Sequence, residues 1–213
     1  MTVRPLALED IDQVRDIEVE AFTAAWPATA FKREIDNPRT TYLVAFDPSE
    51  NDPAEGVSEP PAGREEPTGL VDNLKRFLGR SPRPSRSGDE VVGFVGMWFM
   101  GPEAHITAIA VREARRGEGI GELLMVGSIR EAMRRGCQVV TLEARVSNHV
   151  AQALYEKYGF TNVGIRKNYY TDNREDAVIM TTERVDTADY QEKFAVLQDG
   201  YTRRKGEINI TLA

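Results

Sequence analysis

The chain has 213 residues, of which 41% are hydrophobic and 29% are charged, and its formal net charge is −7. This balance predicts a globular protein without a nucleic-acid-binding surface, which would be basic, and no apolar run reaches the length of about 20 residues that a membrane span needs. One cysteine, Cys137, and two histidines, His105 and His149, argue against a metal site built from these residue types. The lone cysteine and the polar N-terminus predict a cytoplasmic protein. The excess of acid suits a basic partner, and solubility alone explains it equally well.

The first part of the chain alternates strand and helix patterns. We predict a short strand over residues 3–6, a helix over about 11–22, a shorter helix through 31–35 and a β-branched and aromatic strand over 40–46.

The composition then changes. Seven of the eleven prolines lie between Pro48 and Pro84, among many Glu, Asp, Ser and Gly residues. Such a segment buries too little apolar surface to offset its ordering entropy, so we predict a disordered insertion at 47–90. Within it, residues 70–80 have an apolar helical face with basic neighbours. This segment is either a docking helix for a protein partner or a short helix that lies on its own domain.

Regular patterns resume after the insertion. The predicted elements are two strands at 91–100 and 104–111, a helix after Gly121, a buried strand at 139–142, a helix from Asn148 to Gly159, and a hairpin of 160–170 and 177–182. This order predicts an α/β fold with a mixed sheet and a single domain at 1–184. Residues 185–213 form a C-terminal extension with one helical and one alternating pattern.

A glycine-rich turn lies between the strand ITAIAV and the helix ELLMVGSIREAMRR. Its sequence is Arg116-Gly117-Glu118-Gly119-Ile120-Gly121, and this placement predicts an anion site made of backbone N–H groups and a helix dipole. The turn lacks the Lys-Ser/Thr pair of a P-loop and the glycine spacing of a dinucleotide fold. Two neighbouring cations, Arg115 and Arg116, suit a pyrophosphate.

The motif Arg116-x-x-Gly119-x-Gly121 resembles the acetyl-coenzyme A loop of the GCN5-related N-acetyltransferases (GNAT). The blocks ITAIAV, RRGEGIGELL, TLEARVSNHVAQALYEKYGF and IRKNYYTDNREDAVIM resemble the RimI branch of that superfamily over about residues 105–182. The resemblance implies a mixed, mostly antiparallel central sheet flanked by helices. It also implies acetyl transfer from acetyl-coenzyme A (acetyl-CoA) to a protein N-terminus, specifically the N-terminal alanine of a small-subunit ribosomal protein, without a metal.

The same resemblance implies which residues bind the coenzyme. The backbone of Ile109, Ala110 and Val111 would hold the pantetheine arm, and Asn148 would meet it midway. The pyrophosphate would be held by Arg116, Gly117, Glu118, Gly119, Ile120 and Gly121, with Glu122 next to them.

Two residues are implied as catalytic. Glu143, at the end of a strand, corresponds to the general base, and the alternative is a strand-end salt bridge, for which Arg145 is one candidate partner. Tyr155 corresponds to the acid that protonates the leaving thiolate, and seven residues after Asn148 it lies on the same helix face. The alternative for Tyr155 is a packed tyrosine, a role that we assign to Tyr158.

Trp26, Tyr169 and Tyr170 are implied to line the peptide site, where the acidic residues of the following turn would attract a basic segment. His105, His149 and Cys137 are interpreted as structural. Two alternatives remain open: acetylation of another protein N-terminus or of a small amine, and a GNAT fold that serves as an interaction module through the 70–80 segment.

Overall fold

The computed structural model of the protein describes residues 1–22, 27–47 and 89–212. Most of the predicted insertion at 47–90, with its 70–80 segment, lies outside the described residues. So does Trp26, which we had predicted to line the substrate site.

The described elements follow the predicted order closely. They are β1 (Thr2–Pro5), α1 (Ile11–Ala21), α2 (Phe31–Ile35), β2 (Thr40–Asp47), β3 (Glu90–Met100), β4 (Glu103–Val111), α3 (Ile120–Arg134), β5 (Val139–Arg145), α4 (His149–Lys157), β6 (Phe160–Tyr170), β7 (Glu175–Thr182), α5 (Ala188–Lys205) and β8 (Asn209–Ile210). Asn148 accepts a hydrogen bond from the Ala151 N–H, 3.2 Å away, and Gly159 follows α4 with a φ of +83°. Both predicted ends of α4 are therefore confirmed.

The described strands form one eight-stranded sheet in the order β6-β7-β5-β4-β3-β2-β1-β8. Only β4–β5 and β1–β8 are parallel pairs, and the other neighbours are antiparallel. The predicted mixed, mostly antiparallel sheet is confirmed. Helices cover both of its faces, and the two core clusters lie on opposite sides of it.

The parallel pair β4–β5 opens partway along its length. Its pairing ends at Ile106 and Leu142, while β4 continues to Val111 and β5 to Arg145. A bulge at Thr107 shifts the β3–β4 register at the same level, because Ala108 faces Gly96 and Ile106 faces Met97. The two strands therefore separate at the centre of the sheet.

Backbone groups of β4 face this opening. The N–H of Arg112 donates to the Val92 carbonyl of β3, and successive residues of a strand alternate in direction. Ala110 therefore faces β3, whereas Ile109 and Val111 direct their N–H and C=O groups toward the gap.

The helix α5 is built into the main core. Tyr190, Phe194 and Tyr201 of this helix are 3–4% exposed and belong to the cluster that contains α3 and the sheet. The Tyr190 hydroxyl donates to the Tyr158 carbonyl at 2.8 Å, and β8 then pairs with β1. The C-terminal extension thus packs against α3 and α4, and its last strand joins the sheet.

Candidate active site

Glu143 lies one residue beyond the last β4–β5 pair, at the point where the two strands separate. Its side chain is 5% exposed and has two basic neighbours on different strands. His105 Nε2 lies 3.0 Å from Glu143 Oε2, and Arg166 Nη1 lies 3.1 Å from Oε1. Glu143 thus forms the strand-end salt bridge of the alternative interpretation, but its partners are His105 and Arg166. Arg145, the suggested partner, binds acidic residues of the β6–β7 turn instead.

The surroundings of Glu143 keep it ionised. Burial favours the neutral acid and would raise its pKa, but the hydrogen bond from His105 and the charges of His105 and Arg166 outweigh burial. The pKa of Glu143 is therefore lowered from its ordinary value. A carboxylate at this place carries a negative charge at neutral pH.

Tyr155 is a buried phenol on α4. It is 6% exposed, its ring packs against Phe160 with centroids 5.9 Å apart, and its hydroxyl makes no hydrogen bond to any described residue. Burial raises the pKa of Tyr155, and the nearby Tyr170 raises it further. The hydroxyl therefore keeps its proton at neutral pH and is free to donate it.

Tyr158 has the packed role that the sequence predicts. It is 1% exposed, and its hydroxyl donates to Glu122 Oε1 at 2.9 Å. The two tyrosines of α4 thus differ in that only Tyr158 has a hydroxyl partner in the described part of the chain.

The glycine-rich turn presents a row of unused donors. Gly117 and Gly119 have φ angles of +82° and +91°, which glycine adopts without strain. The first helical bond of α3 runs from the Leu123 N–H to the Gly119 carbonyl. Within residues 1–22, 27–47 and 89–212, no group accepts a hydrogen bond from the N–H groups of 117–122. A tight turn with free donors at a helix start fits a pyrophosphate.

Both glutamates of this region are paired. Glu118 accepts from Arg115 Nε at 2.9 Å, and Arg115 also donates to Asp47 at 2.7 Å. Arg115, which was expected to bind the pyrophosphate, thus forms ion pairs with two carboxylates instead. The guanidinium of Arg116 is exposed, and its Nε donates to the Val111 carbonyl at 3.4 Å.

Glu122 sits in the first turn of α3, where a bare negative charge would repel a phosphate. It accepts from Lys157 at 2.5 Å, from Tyr158 at 2.9 Å and from Arg204 at 2.9 Å. Burial would raise its pKa, but the bonds from Lys157 and Tyr158 dominate, so the pKa of Glu122 is lowered. Its charge is offset by two cations.

The other predicted coenzyme residues lie between the turn and Glu143. The side-chain oxygen Oδ1 of Asn148 caps α4 by accepting from the Ala151 N–H. The side-chain NH₂ group remains available, and the residue is exposed. Ile109 and Val111 are partly buried against the core, and Ala110 is 6% exposed.

A cleft of about 850 Å³ opens beside Glu143. Its walls include both basic partners of Glu143 and the predicted Tyr169 and Tyr170, whose rings meet edge to face at 5.2 Å. The lining residues are Phe22, Pro27, Ala28, Thr29, Ala30, Glu34, Tyr42, Trp98, Met100, Glu103, His105, Thr107, Ala108, Arg145, Arg166, Tyr169, Tyr170, Thr171 and Asp172. Trp98 and Met100 are 48% and 53% exposed at its rim. An exposed apolar rim of this kind suits an extended ligand.

The acidic turn between β6 and β7 is largely neutralised. Asp172 and Glu175 bind Arg145 at 2.9 and 3.0 Å, and Asp176 binds Lys167 at 2.6 Å. The guanidinium carbon of Arg145 also lies 3.9 Å from the Tyr170 ring centroid. The expected attraction of this turn for a basic segment is therefore weaker than its composition suggests.

Sequence reasoning missed the two partners of Glu143. His105 is opposite Thr141 in the parallel register, so it shares a sheet face with Glu143 two residues further along. The register of β4 on β5 would have predicted this contact. Arg166 lies two strands away and carries no such signal. Cys137 is 1% exposed, and burial raises the pKa of its thiol. Both observations agree with the structural role that the sequence predicts for it.

The described residues hold neither a cluster of metal ligands nor a helix able to span a membrane. No group of three or more His, Cys, Asp or Glu side chains there is placed to hold a metal ion. Likewise, none of the described helices combines the length and apolarity that crossing a bilayer requires.

Comparison with known proteins assigns the family. Residues 11–160 match the Acetyltransferase (GNAT) family. A candidate ribosomal protein bS18-alanine N-acetyltransferase of Bacillus subtilis is 35% identical over 179 residues, which cover 84% of this chain and 92% of that protein. The N-alpha-acetyltransferase RimI of Mycobacterium tuberculosis is 28% identical over 192 residues, 87% of this chain and 94% of that one.

A solved structure agrees with the sequence matches. The crystal structure of the ribosomal-protein-S18-alanine N-acetyltransferase from Escherichia coli superposes with a TM-score of 0.61 and 26% identity, covering 88% of this chain and 95% of that one. The chain therefore belongs to the GNAT family of acetyltransferases and resembles its RimI branch.

Proposed function

We propose that this acetyltransferase moves an acetyl group from acetyl-CoA to the α-amine of a protein N-terminus, and that its substrate is the N-terminal alanine of a small-subunit ribosomal protein. The names of the relatives in Bacillus subtilis and Escherichia coli support this substrate. The observation that carries the proposal is the opening between β4 and β5, where Glu143 lies next to a cleft on one side and free backbone groups on the other.

The residues present fit acetyl-CoA, which supplies the activated acetyl thioester. The N–H groups of 117–122 and the exposed guanidinium of Arg116 suit the pyrophosphate. Ile109 and Val111 offer backbone donors and acceptors to the amides of the pantetheine arm. Asn148 and Tyr155 lie on one face of α4, so the arm would run from the glycine-rich turn toward Glu143.

Glu143 and His105 act on the incoming amine. A free α-amine has a pKa of about 7.7–8.0 and must lose a proton to attack a thioester carbon. The ionised Glu143 attracts the ammonium group, and His105, which lines the cleft, is placed to take part in the proton's removal. Such acid–base assistance is worth about 10²- to 10⁴-fold.

Tyr155 acts at the other end of the reaction. When the carbon–sulfur bond breaks, the electron pair stays on sulfur, and the protonated phenol of Tyr155 supplies the proton that makes a thiol. Its hydroxyl is protonated at neutral pH and has no hydrogen-bond partner among the described residues, so it is available for this role. The acetyl group then remains on the substrate nitrogen as an amide.

A small amine is the second candidate substrate. The exposed Trp98 and Met100 at the rim and the open cleft favour a peptide, which would use this apolar surface, over a small amine, which would not. An interaction module without activity is disfavoured, because it has no need of a buried, ionised Glu143.

Mass spectrometry with acetyl-CoA and three acceptors tests the proposal. We expect a gain of one acetyl mass on the α-amine of an Ala-starting ribosomal peptide, and none on the same peptide with a blocked N-terminus. A lysine-containing peptide and a small amine are the competing acceptors. Acetylation of these alone would overturn the substrate, and loss of activity in Glu143→Gln but not in the surface variant Glu156→Gln would support the base.

A further inference from the structure

The C-terminal helix α5 ends directly against the glycine-rich turn. A Cβ atom built on Gly119 would lie 3.1 Å from Lys205 Cε and 3.4 Å from Lys205 Cγ. The aliphatic part of Lys205 therefore runs along the backbone of the turn, and its Nζ is one bond beyond Cε. No acidic group within the described ranges forms an ion pair with this exposed ammonium.

The other cations around the turn are more restricted. Arg115 is held by Asp47 and Glu118, and Arg204 is held by Glu122. Arg116 is the predicted cation whose guanidinium stays exposed without an acidic partner in the described residues. Lys205 thus adds a second uncommitted charge at the place where the sequence predicted Arg115 to act.

The position of Lys205 is fixed by its surroundings. Arg204 Nη2 donates to Glu122 Oε1 at 2.9 Å and ties the end of α5 to the first turn of α3. Tyr201, one turn earlier, is 4% exposed. Gly206 ends the helix with a φ of +90°, and the chain then enters β8 on the sheet. The backbone of Lys205 is therefore held by packed structure on both sides, and its aliphatic side chain lies along Gly119.

We propose that Lys205 is a ligand for the pyrophosphate of the coenzyme. The proposal rests on the proposed use of acetyl-CoA and adds a residue outside the family match, which ends at residue 160. Lys205 lies along Gly119, one of the donors in the row 117–122, so a pyrophosphate held by those N–H groups meets the ammonium. Backbone dipoles supply direction, and Lys205 supplies a full positive charge.

Titration calorimetry with CoA itself tests the proposal without any acetyl transfer. Lys205→Met keeps the length of the side chain and removes its charge, and Lys205→Arg retains the charge. Lys193→Met is the matched control, because Lys193 is on the same helix, exposed, and about 18 Å along the axis from Lys205. We expect Lys205→Met to weaken CoA binding by about three- to tenfold, as an exposed charged contact should, while Lys193→Met and Lys205→Arg stay near wild type.

Dephospho-CoA, which lacks the 3′-phosphate, identifies the phosphate concerned. An equal loss of affinity for CoA and dephospho-CoA supports the pyrophosphate, and high salt should shrink the loss. Unchanged CoA affinity in Lys205→Met, or a loss seen only with the 3′-phosphate present, would overturn the assignment. Thermal melting checks that the variant is folded. A wild-type protein that fails to bind CoA would overturn the proposed function as well, whereas a wild type that binds and acetylates leaves only Lys205 in question.

Discussion

At the scale of single residues, Glu143 combines burial with two basic partners. A carboxylate whose pKa is lowered is a weak proton acceptor, and general-base efficiency falls as the pKa departs from the operating pH. His105 lies between this carboxylate and the cleft that would hold the amine. The pair is therefore better suited to share the proton than Glu143 is to take it alone.

Replacing His105 by Gln should change the titration of Glu143. The hydrogen bond and charge of His105 lower the pKa of Glu143, so their loss raises that pKa toward its ordinary value. The ionised fraction of Glu143 then falls at a higher pH than in the wild type. We expect the titration of the Glu143 carboxyl carbon, followed by NMR, to move to higher pH.

The control for this change is His149→Gln, since His149 is exposed at the start of α4. Its Glu143 titration should coincide with that of the wild type. A Glu143 titration that stays in place in His105→Gln would show that the contact with His105 does not lower the pKa of Glu143.

The two tyrosines of α4 allow a matched comparison. The Tyr155 hydroxyl has no partner among the described residues, so Tyr155→Phe should leave stability unchanged and lower kcat by about 10²-fold or more. Tyr158→Phe removes a hydrogen bond to the charged Glu122 and should cost about 1–2 kcal/mol of stability while leaving the chemical step intact. Steady-state kinetics and denaturant unfolding separate the two effects. If Tyr158→Phe lowered kcat and Tyr155→Phe did not, Tyr158 would be the acid.

At the scale of elements, α5 contributes both to the hydrophobic core and to the proposed coenzyme site. Its inner face buries three aromatic side chains, and its last turn reaches the start of α3 through Arg204 and Lys205. A helix that appeared in the sequence as an extension therefore both completes the core and supplies charge to the glycine-rich turn.

Truncating the inner face of α5 should destabilise the whole protein. Phe194 is 4% exposed and packs between Tyr158 and Tyr190, so Phe194→Ala should lower the free energy of unfolding by about 3–5 kcal/mol. Val196 on the same helix is 61% exposed, and Val196→Ala should change it by less than about 0.5 kcal/mol. Urea unfolding measures both, and a mild effect of Phe194→Ala would mean that α5 docks as a separable appendage.

The sequence was most informative where structure depends on near neighbours. The cap at Asn148, the glycine after α4 and the turn at 116–121 all follow from local backbone demands, and each was predicted by residue. The contacts of Glu143 with His105 and Arg166 depend on strand register across the sheet, which no local pattern encodes. The contact of Lys205 with Gly119 joins residues far apart in the chain, and only the packing of α5 creates it.

At the scale of the whole molecule, local ion pairs determine which charges are available at the site more than the net charge does. The excess of acid suited either a basic partner or solubility alone, and the acids beside the turn and the cleft are mostly bound to arginine and lysine. The sheet opening divides the molecule into the proposed coenzyme side, with free donors and cations, and the proposed acceptor side, with an aromatic cleft. Glu143 lies where the two sides meet.

The segment 48–88 leaves and rejoins the sheet at a single point. Asp47 and Glu90 are partners in the β2–β3 register, so replacing 48–88 with a Gly-Ser-Gly linker closes the hairpin without shifting either strand. Asp47 and Glu90 also contact Arg115 beside the glycine-rich turn, and both are retained in this deletion. The cleft is at the opposite end of β3, near Trp98 and Met100.

We therefore expect kcat and KM for a peptide, and the Kd for CoA, to stay within about threefold of wild type, since the deletion removes no contact between described residues. A large rise in the KM for the peptide alone would mean that the segment forms part of the acceptor site. Weaker CoA binding alone would mean that it reaches over the coenzyme side.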